Sequence, residues 1–428
     1  MTTTARKASL ATGGAALLAL VTAYFGMQCA AGLLSLDGQR AYYSGEFTRA
    51  WGLYERALHL GGDRESLEID LVETLLFGLD QQALGVKVAL PMPQDDAVSM
   101  ARTILAQRLS AIPYKAYYWS LVSDLNLFVA RRERQRTPLD LSTLSDNPLE
   151  NLRPEEGIAL AALEEAARRE PTNYVYQDLL AEQFLEWGIS DQAAGHVRRA
   201  LALYPALNGH SYLSRAPVDS SIVDAAVAGL EDALGTESMI PKDLIECDAG
   251  SLLLAQGRFA EAVAYYKRAL ERTPGLPEAL YRYGEAAYLL GDYRAADEML
   301  SRASPYFPDT ASPSYYLGLT RLKEGKKTEA IEALRMAREI APQNIELFHA
   351  LAGALESDGM VKEAERQFMA AAHLNPTRTE AWSGLLDFYG RHPELASAAR
   401  RACAHLETLK IDPQIYKSKC DNLLREGS

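Results

Sequence analysis

Four stretches of this chain share a rhythm of 34 residues, and that rhythm limits what it can fold into more than any other feature. Gly257, Gly291, Gly325 and Gly359 fall in one phase. Ala262, Ala296, Ala330 and Ala364 fall in a second, Ala269, Ala303, Ala337 and Ala371 in a third, and Pro274, Pro308, Pro342 and Pro376 in a fourth. An earlier position adds Gly250, Gly284, Gly318 and Ala352. The stretches "GRFAEAVAYYKRALERTP" (257–274) and "GDYRAADEMLSRASPYFP" (291–308) share this frame but few side chains. Small residues and prolines are what recur, so backbone geometry is being copied rather than chemistry.

Each copy has helix periodicity on both sides of its glycine. In "YYLGLTRLKEGKKTEAIEALRMAREIAP" (315–342) apolar residues recur at spacings of three and four before and after Gly325. The unit is therefore two helices joined by a tight turn. Glycine at the turn accepts a backbone conformation that a Cβ resists, and proline stops the second helix. One such pair cannot bury its own apolar face, so successive pairs must stack.

This spacing and pattern resemble the tetratricopeptide repeat, a 34-residue helix-turn-helix. The resemblance implies an all-α fold, a right-handed superhelical solenoid. It is strongest over 243–378 and continues into 379–412 through "AWSGLLDFYG" and "ELASAARRACAHL". Residues 188–205 and 45–62 are further copies, and Pro171 sits one period before Pro205. Between them the pattern degenerates. Residues 65–80 and 94–110 read as one pair with an insertion at 81–93, and 114–130 with 154–170 as another, split by 131–153. Residues 208–242 keep helical character without the landmarks. The expected organisation is a tail and anchor at 1–36, degenerate repeats with insertions at 37–242, a regular array at 243–412 and a capping helix at 413–428.

The amino terminus sets a second expectation. Arg6 and Lys7 precede a charge-free run from Ala8 to Leu36 that ends at Asp37. A bilayer span takes about 20 apolar residues, and cations on the near side favour a cytoplasmic tail. A single transmembrane helix with the repeats on the far side is the expectation; a cleaved signal peptide is the alternative, with a shorter apolar region. Cys29 follows Gln28, a poor fit to a lipidated cysteine. Arginine outnumbers lysine, 32 to 12, which suggests a GC-rich bacterial genome and makes the far side the periplasm, with the chain in the inner membrane.

The net charge of −13 argues against nucleic acid, and "RRERQR" (131–136) is too short a basic run to change that. The four cysteines form no disulfide framework. Cys403 and Cys420 could pair in an oxidising compartment, the alternative being two small buried side chains. No HExxH, CxxC, GxSxG or phosphate-loop motif is present. No catalytic residue, metal ligand, nucleotide or cofactor is expected, and the chain reads as a non-enzyme.

In tetratricopeptide proteins the first helices of successive repeats line a concave groove that binds peptides or partner helices. That resemblance places Cys247, Tyr281, Tyr315, His349 and Ser383 at one groove-facing position, with Glu285, Tyr288, Leu319 and Leu322 further along. The Lys and Asn of the co-chaperone branch, which clamp a terminal carboxylate, are absent. The partner-binding candidates are Tyr281, Glu285, Tyr288, Tyr315, Leu319, Leu322 and His349. A scaffold or adaptor for protein partners in the bacterial envelope is the expected function. The alternatives are a glycan- or lipid-binding accessory protein and a regulatory subunit of an envelope enzyme. The glycan reading requires Tyr281, Tyr288 and Tyr315 to be exposed on one face.

Overall fold

The computed structural model describes residues 3–136, 148–214, 218–374, 376–409 and 413–426, with side chains described from Thr22 onward in the first helix. All of the regular elements among these residues are helices. They pack as consecutive antiparallel pairs: α1 (Thr3–Tyr43) with α2 (Phe47–His59), α3 (Arg64–Ala83) with α4 (Gln94–Ala111), α5 (Ala116–Arg136) with α6 (Pro154–Arg169), and α7 (Tyr174–Glu186) with α8 (Ser190–Leu203). After the unpaired α9 (Ser220–Leu234), the pairing resumes with α10 (Lys242–Ala255) and α11 (Phe259–Arg272), then α12 (Pro277–Leu290) and α13 (Tyr293–Ala303). It continues through α14 (Ala311–Lys323) and α15 (Lys327–Ile340), and α16 (Ile345–Ser357) and α17 (Val361–Leu374). Last come α18 (Thr379–Arg391), α19 (Ala396–Thr408) and α20 (Pro413–Glu426). The chain divides into two compact units, 1–204 with 210–225 and 205–209 with 226–428.

In the second unit the repeating residues do what their spacing demands. Gly257, Gly291, Gly325 and Gly359 all have positive φ, between 74° and 89°. Each closes its first helix in the same way. The Gly325 amide donates to the Leu322 carbonyl at 3.1 Å and the Lys326 amide to that of Arg321 at 2.8 Å, the paired C-terminal bonds of a helix ended by a left-handed residue. The second glycine series marks close helix contact. A Cβ on Gly318 would lie 2.5 Å from Cγ of Leu334 and 3.2 Å from the Ala330 carbonyl oxygen, so α14 and α15 touch there without a side chain between them. The two alanine series are fully buried at these interfaces. Tyr266, Leu300 and Leu334, each sixteen residues after its glycine, fill the space beyond.

α9 lacks these landmarks and is held differently. Val227 packs against the core of α10–α13, and Glu231 pairs with Arg268 at 2.6 Å. Arg268 and Arg272 together satisfy the fully buried Glu246, at 3.2 and 2.9 Å. At the carboxyl end Cys403 and Cys420 form a disulfide, with Cα atoms 5.8 Å apart, that ties α20 to α19. Lys419 adds an ion pair to Asp387 on α18 at 2.6 Å.

In the first unit, α1 runs unbroken through the apolar amino-terminal stretch into the first helix of a repeat. Gly38 packs against Tyr54 as Gly318 packs against Leu334, and Gly45 turns the chain with φ 76°. Ala31 and Ala41 are buried on this helix, while Tyr24, Phe25, Met27, Leu33 and Leu36 are exposed. Among the described residues no helix is long and apolar enough to cross a membrane. The side chains of 3–21, the first part of the expected span, lie outside the described residues, as does 137–147 within the second insertion.

Candidate functional site

The tyrosine strip expected in the groove of the second unit is largely engaged in packing. Tyr281 on α12 is buried, 7% exposed, with its ring 5.7 Å from that of Phe307 and the Arg282 guanidinium 4.9 Å from its centroid. Tyr288 is half-buried between Tyr293 and Tyr316, at 5.9 and 5.6 Å. Tyr315 on α14 is half-buried against Tyr316 at 5.4 Å. Glu285 is half-buried and accepts from Arg282 at 3.0 Å. Burial, followed by the nearby Glu285, raises the pKa of Tyr281, so its hydroxyl stays protonated. Leu319 and Leu322 are half-buried on the same helix as Tyr315. The exposure that the glycan reading requires is therefore not found in Tyr281.

The remaining candidate positions have the following surroundings. Cys247 is buried, and burial pushes its thiol up to about 12, which leaves it protonated and unreactive. His349 is half-buried beside Phe368 at 5.6 Å; burial lowers its pKa, and its Nε2 has no hydrogen-bond partner among the described residues. Its edge approaches Gly384 on α18 so closely that a Cβ there would meet Nε2 at 2.9 Å. Ser383 accepts from Lys419 of the capping helix at 2.7 Å.

A polar hollow that the sequence reading did not single out lies in the first unit, between the end of α3, the middle of α5 and the second half of α7. A cavity of about 120 Å³ is lined by Asp80 of α3, Ser123, Asp124 and Arg131 of α5, and Glu182 and Glu186 of α7, with Leu127, Leu163 and Leu179 as its apolar wall. A larger one of about 710 Å³ shares Asp80, Arg131 and Glu186 and adds Phe77, Leu84 and Arg132. Burial, reinforced by Asp80 and opposed by Arg131, pushes Asp124 up to about 6. Burial raises Asp80 as well. Arg131 lies 3.4 Å from Glu186, and Arg132 pairs with Asp95 at 2.6 Å.

The first insertion builds one wall of the larger hollow. Past Gly85, which has φ 80°, the chain folds back over α3. Gln82 donates to the Val88 carbonyl at 2.8 Å, Thr48 to that of Ala89 at 3.2 Å, and Leu90 packs where a Cβ on Gly78 would otherwise sit. The available signal was an acid on each irregular first helix, with Asp80 and Glu186 near the ends of α3 and α7 and Asp124 in the middle of α5. Without the 34-residue frame those positions cannot be aligned by eye.

Stacked helix pairs joined by left-handed glycine turns, with no strand among the described residues, define a helical-repeat protein. Residues 253–320 match one family model described as tetratricopeptide repeat, and 314–344 match a second. The chain carries tetratricopeptide repeats over residues 253–344. It is 24% identical over 221 residues to the TPR repeat-containing protein YpiA of Bacillus subtilis (strain 168), covering 44% of this chain and 52% of that one. The chain thus spans about half the length of that relative. YrrB, a TPR protein with an unusual peptide-binding site, is 21% identical, with a TM-score of 0.32 over 43% of this chain and 84% of its own. MamA from Desulfovibrio magneticus RS-1, residues 41 to the end, is 17% identical, with a TM-score of 0.34 over 48% and 96%.

Proposed function

We propose that this chain is a non-enzymatic scaffold held at the bacterial inner membrane by its amino-terminal helix, presenting its repeats to protein partners in the periplasm. Tetratricopeptide repeats are protein-interaction scaffolds, and that much follows from the family. The membrane reading rests chiefly on α1. Its carboxyl-terminal third is a repeat helix, yet Tyr24, Phe25, Met27, Leu33 and Leu36 are exposed upstream of and beside that packing, with Phe25 at 62% and Leu33 at 65%. Apolar side chains clustered this way on one helix favour a lipid or protein cover. Arg6 and Lys7 before the run favour a cytoplasmic tail. The Cys403–Cys420 disulfide fits an oxidising compartment. Anchoring would hold the repeats close to other membrane-bound components, so that weak contacts gain from effective concentration.

In the second unit, Tyr288, Tyr315, Leu319 and Leu322 are the partner-contact candidates, since their side chains are half-buried rather than enclosed. Tyr281, Glu285 and His349 belong to the same surface in this reading and act by supporting those contacts. The test is site-specific photo-cross-linking in cells with the probe at position 319, comparing the full chain with Leu17→Arg/Leu20→Arg. One discrete adduct, lost together with membrane association in the double variant, is the expected result. An adduct unchanged by release from the membrane would overturn the anchor, and the absence of any adduct would overturn the groove.

A further inference from the structure

The small cavity of the first unit has the chemistry of a cation receptor, and its acceptors differ in how they are occupied. Glu186 faces Arg131 at 3.4 Å and receives Gln183 at 3.3 Å, and Glu182 accepts from Ser211. Asp80 and Asp124 have no hydrogen bond or ion pair among the described residues. Ser123 supplies an independent observation. Its side chain lines the cavity, the residue is only 2% exposed, and its hydroxyl has no hydrogen-bond partner among the described residues. Opening onto the cavity, that hydroxyl can accept from an occupant. Two unpaired carboxylates and an unpaired hydroxyl converge on one small space.

The occupant follows from that inventory. Carboxylates outnumber Arg131 around the space, which disfavours phosphate and carboxylate ligands. No group of three His, Cys, Asp or Glu side chains among the described residues is arranged to hold a metal ion. A primary ammonium carries three N–H donors and no acceptor. Leu127, Leu163 and Leu179 offer an apolar wall for the methylene stem behind such a group. The adjoining cavity of about 710 Å³ has room for neighbouring residues, with Phe77 and Leu84 beside an apolar side chain.

We propose that the first unit binds an extended segment of a partner protein by taking a lysine side chain into the cavity formed by Asp80, Ser123 and Asp124, with the residue after it in the larger hollow. This specifies a partner chemistry for the scaffold reading and rests on it, but it uses a different unit from the tyrosine and leucine surface.

The probe is a capped, fluorescein-labelled peptide Gly-Ala-Lys-Phe-Ala-Gly, titrated by anisotropy against the detergent-solubilised full chain at about 0.15 M salt, where unspecific surface attraction is screened. Norleucine and glutamate peptides of the same frame serve as references. The lysine peptide is expected to bind at least tenfold more tightly than the norleucine peptide, and Asp124→Asn to erase that preference while helical circular dichroism is unchanged. Asp80→Asn provides a second removal of charge. Equal binding of the lysine and norleucine peptides, tighter binding of the glutamate peptide, or no binding at millimolar concentration would each overturn the proposal. The two readings fail separately. Loss of lysine preference with the position-319 adduct intact removes the acidic cavity alone, whereas an intact preference without an adduct supports the cavity and removes the other surface.

Discussion

The array from α10 to α17 and the pairs from α3 to α8 meet the same packing requirement with different side chains. In three of the array's four pairs the two helices touch through glycine, with Gly250 against Tyr266, Gly284 against Leu300 and Gly318 against Leu334. In the irregular pairs charged groups fasten what glycine does not. Glu68 of α3, 7% exposed, is held by Arg108 of α4 at 2.7 Å, and Glu156 of α6 by Arg134 of α5 at 2.7 and 2.8 Å. Helices spaced by long polar side chains need not pack as densely as helices in backbone contact. The two polar hollows occur among the irregular pairs, whereas in the array Tyr266 and Tyr281 are buried in packing.

The largest expected effect is on the array's filler residues. Tyr266→Ala removes a fully buried ring and should cost about 3–5 kcal/mol, read as a drop in the urea midpoint of the second unit. A loss below about 1 kcal/mol would mean that the glycine–filler contact does not set the spacing. Next, removing the disulfide by Cys403→Ser/Cys420→Ser should lower stability by about 3 kcal/mol, given the 17-residue separation. Hydrogen exchange should then rise in α18–α20 and remain unchanged in α1–α8.

Two glycines sharpen the comparison within one unit. Gly318→Ala forces a Cβ into Leu334 and should destabilise by about 1–3 kcal/mol, whereas Gly353→Ala, with nothing within 4 Å, should stabilise by about 0.5–1 kcal/mol. The same sign for both would break the close-contact argument.

A further effect concerns pH. Asp124 titrates higher in the folded chain, at about 6, than an ordinary aspartate does in an unfolded one, near 4. The folded state therefore holds the extra proton between those values, and stability from this group is full at the acid end and is lost as pH rises from about 4 to about 6. Asp124→Asn should remove that part of the decline, so the variant gains on the parent as pH climbs from 4 to 7. A variant that loses ground across that range would contradict the burial of this carboxylate. Asp70 and Asp248, also pushed up to about 6, keep their own share in both proteins.

The frame of the fold was readable because glycine, alanine and proline each answer a local backbone demand at a fixed spacing. The turns at Gly45 and Gly188 followed from the same residues that located Gly257 and its successors. The continuity of α1 was harder to see, because Gly38 lies just past the expected end of the span although it stands in the close-contact phase, seven before Gly45. The candidate groove was legible as a set of positions but not as a surface, since period alone does not tell whether Tyr281 faces solvent or Phe307. The acidic cavity was invisible for another reason. Asp80 and Asp124 are 44 residues apart, and only the lengths of α3, α5 and the insertion between α3 and α4 bring them to one space.

The most direct test of the scaffold account is to fix intact cells in acid, alkylate free thiols, and follow the full chain through an alkaline wash of the membranes. The account predicts a chain retained in the washed pellet, with Cys403 and Cys420 oxidised and Cys247 reduced. A chain released to the supernatant with Cys403 and Cys420 alkylated would contradict both the anchor and the compartment.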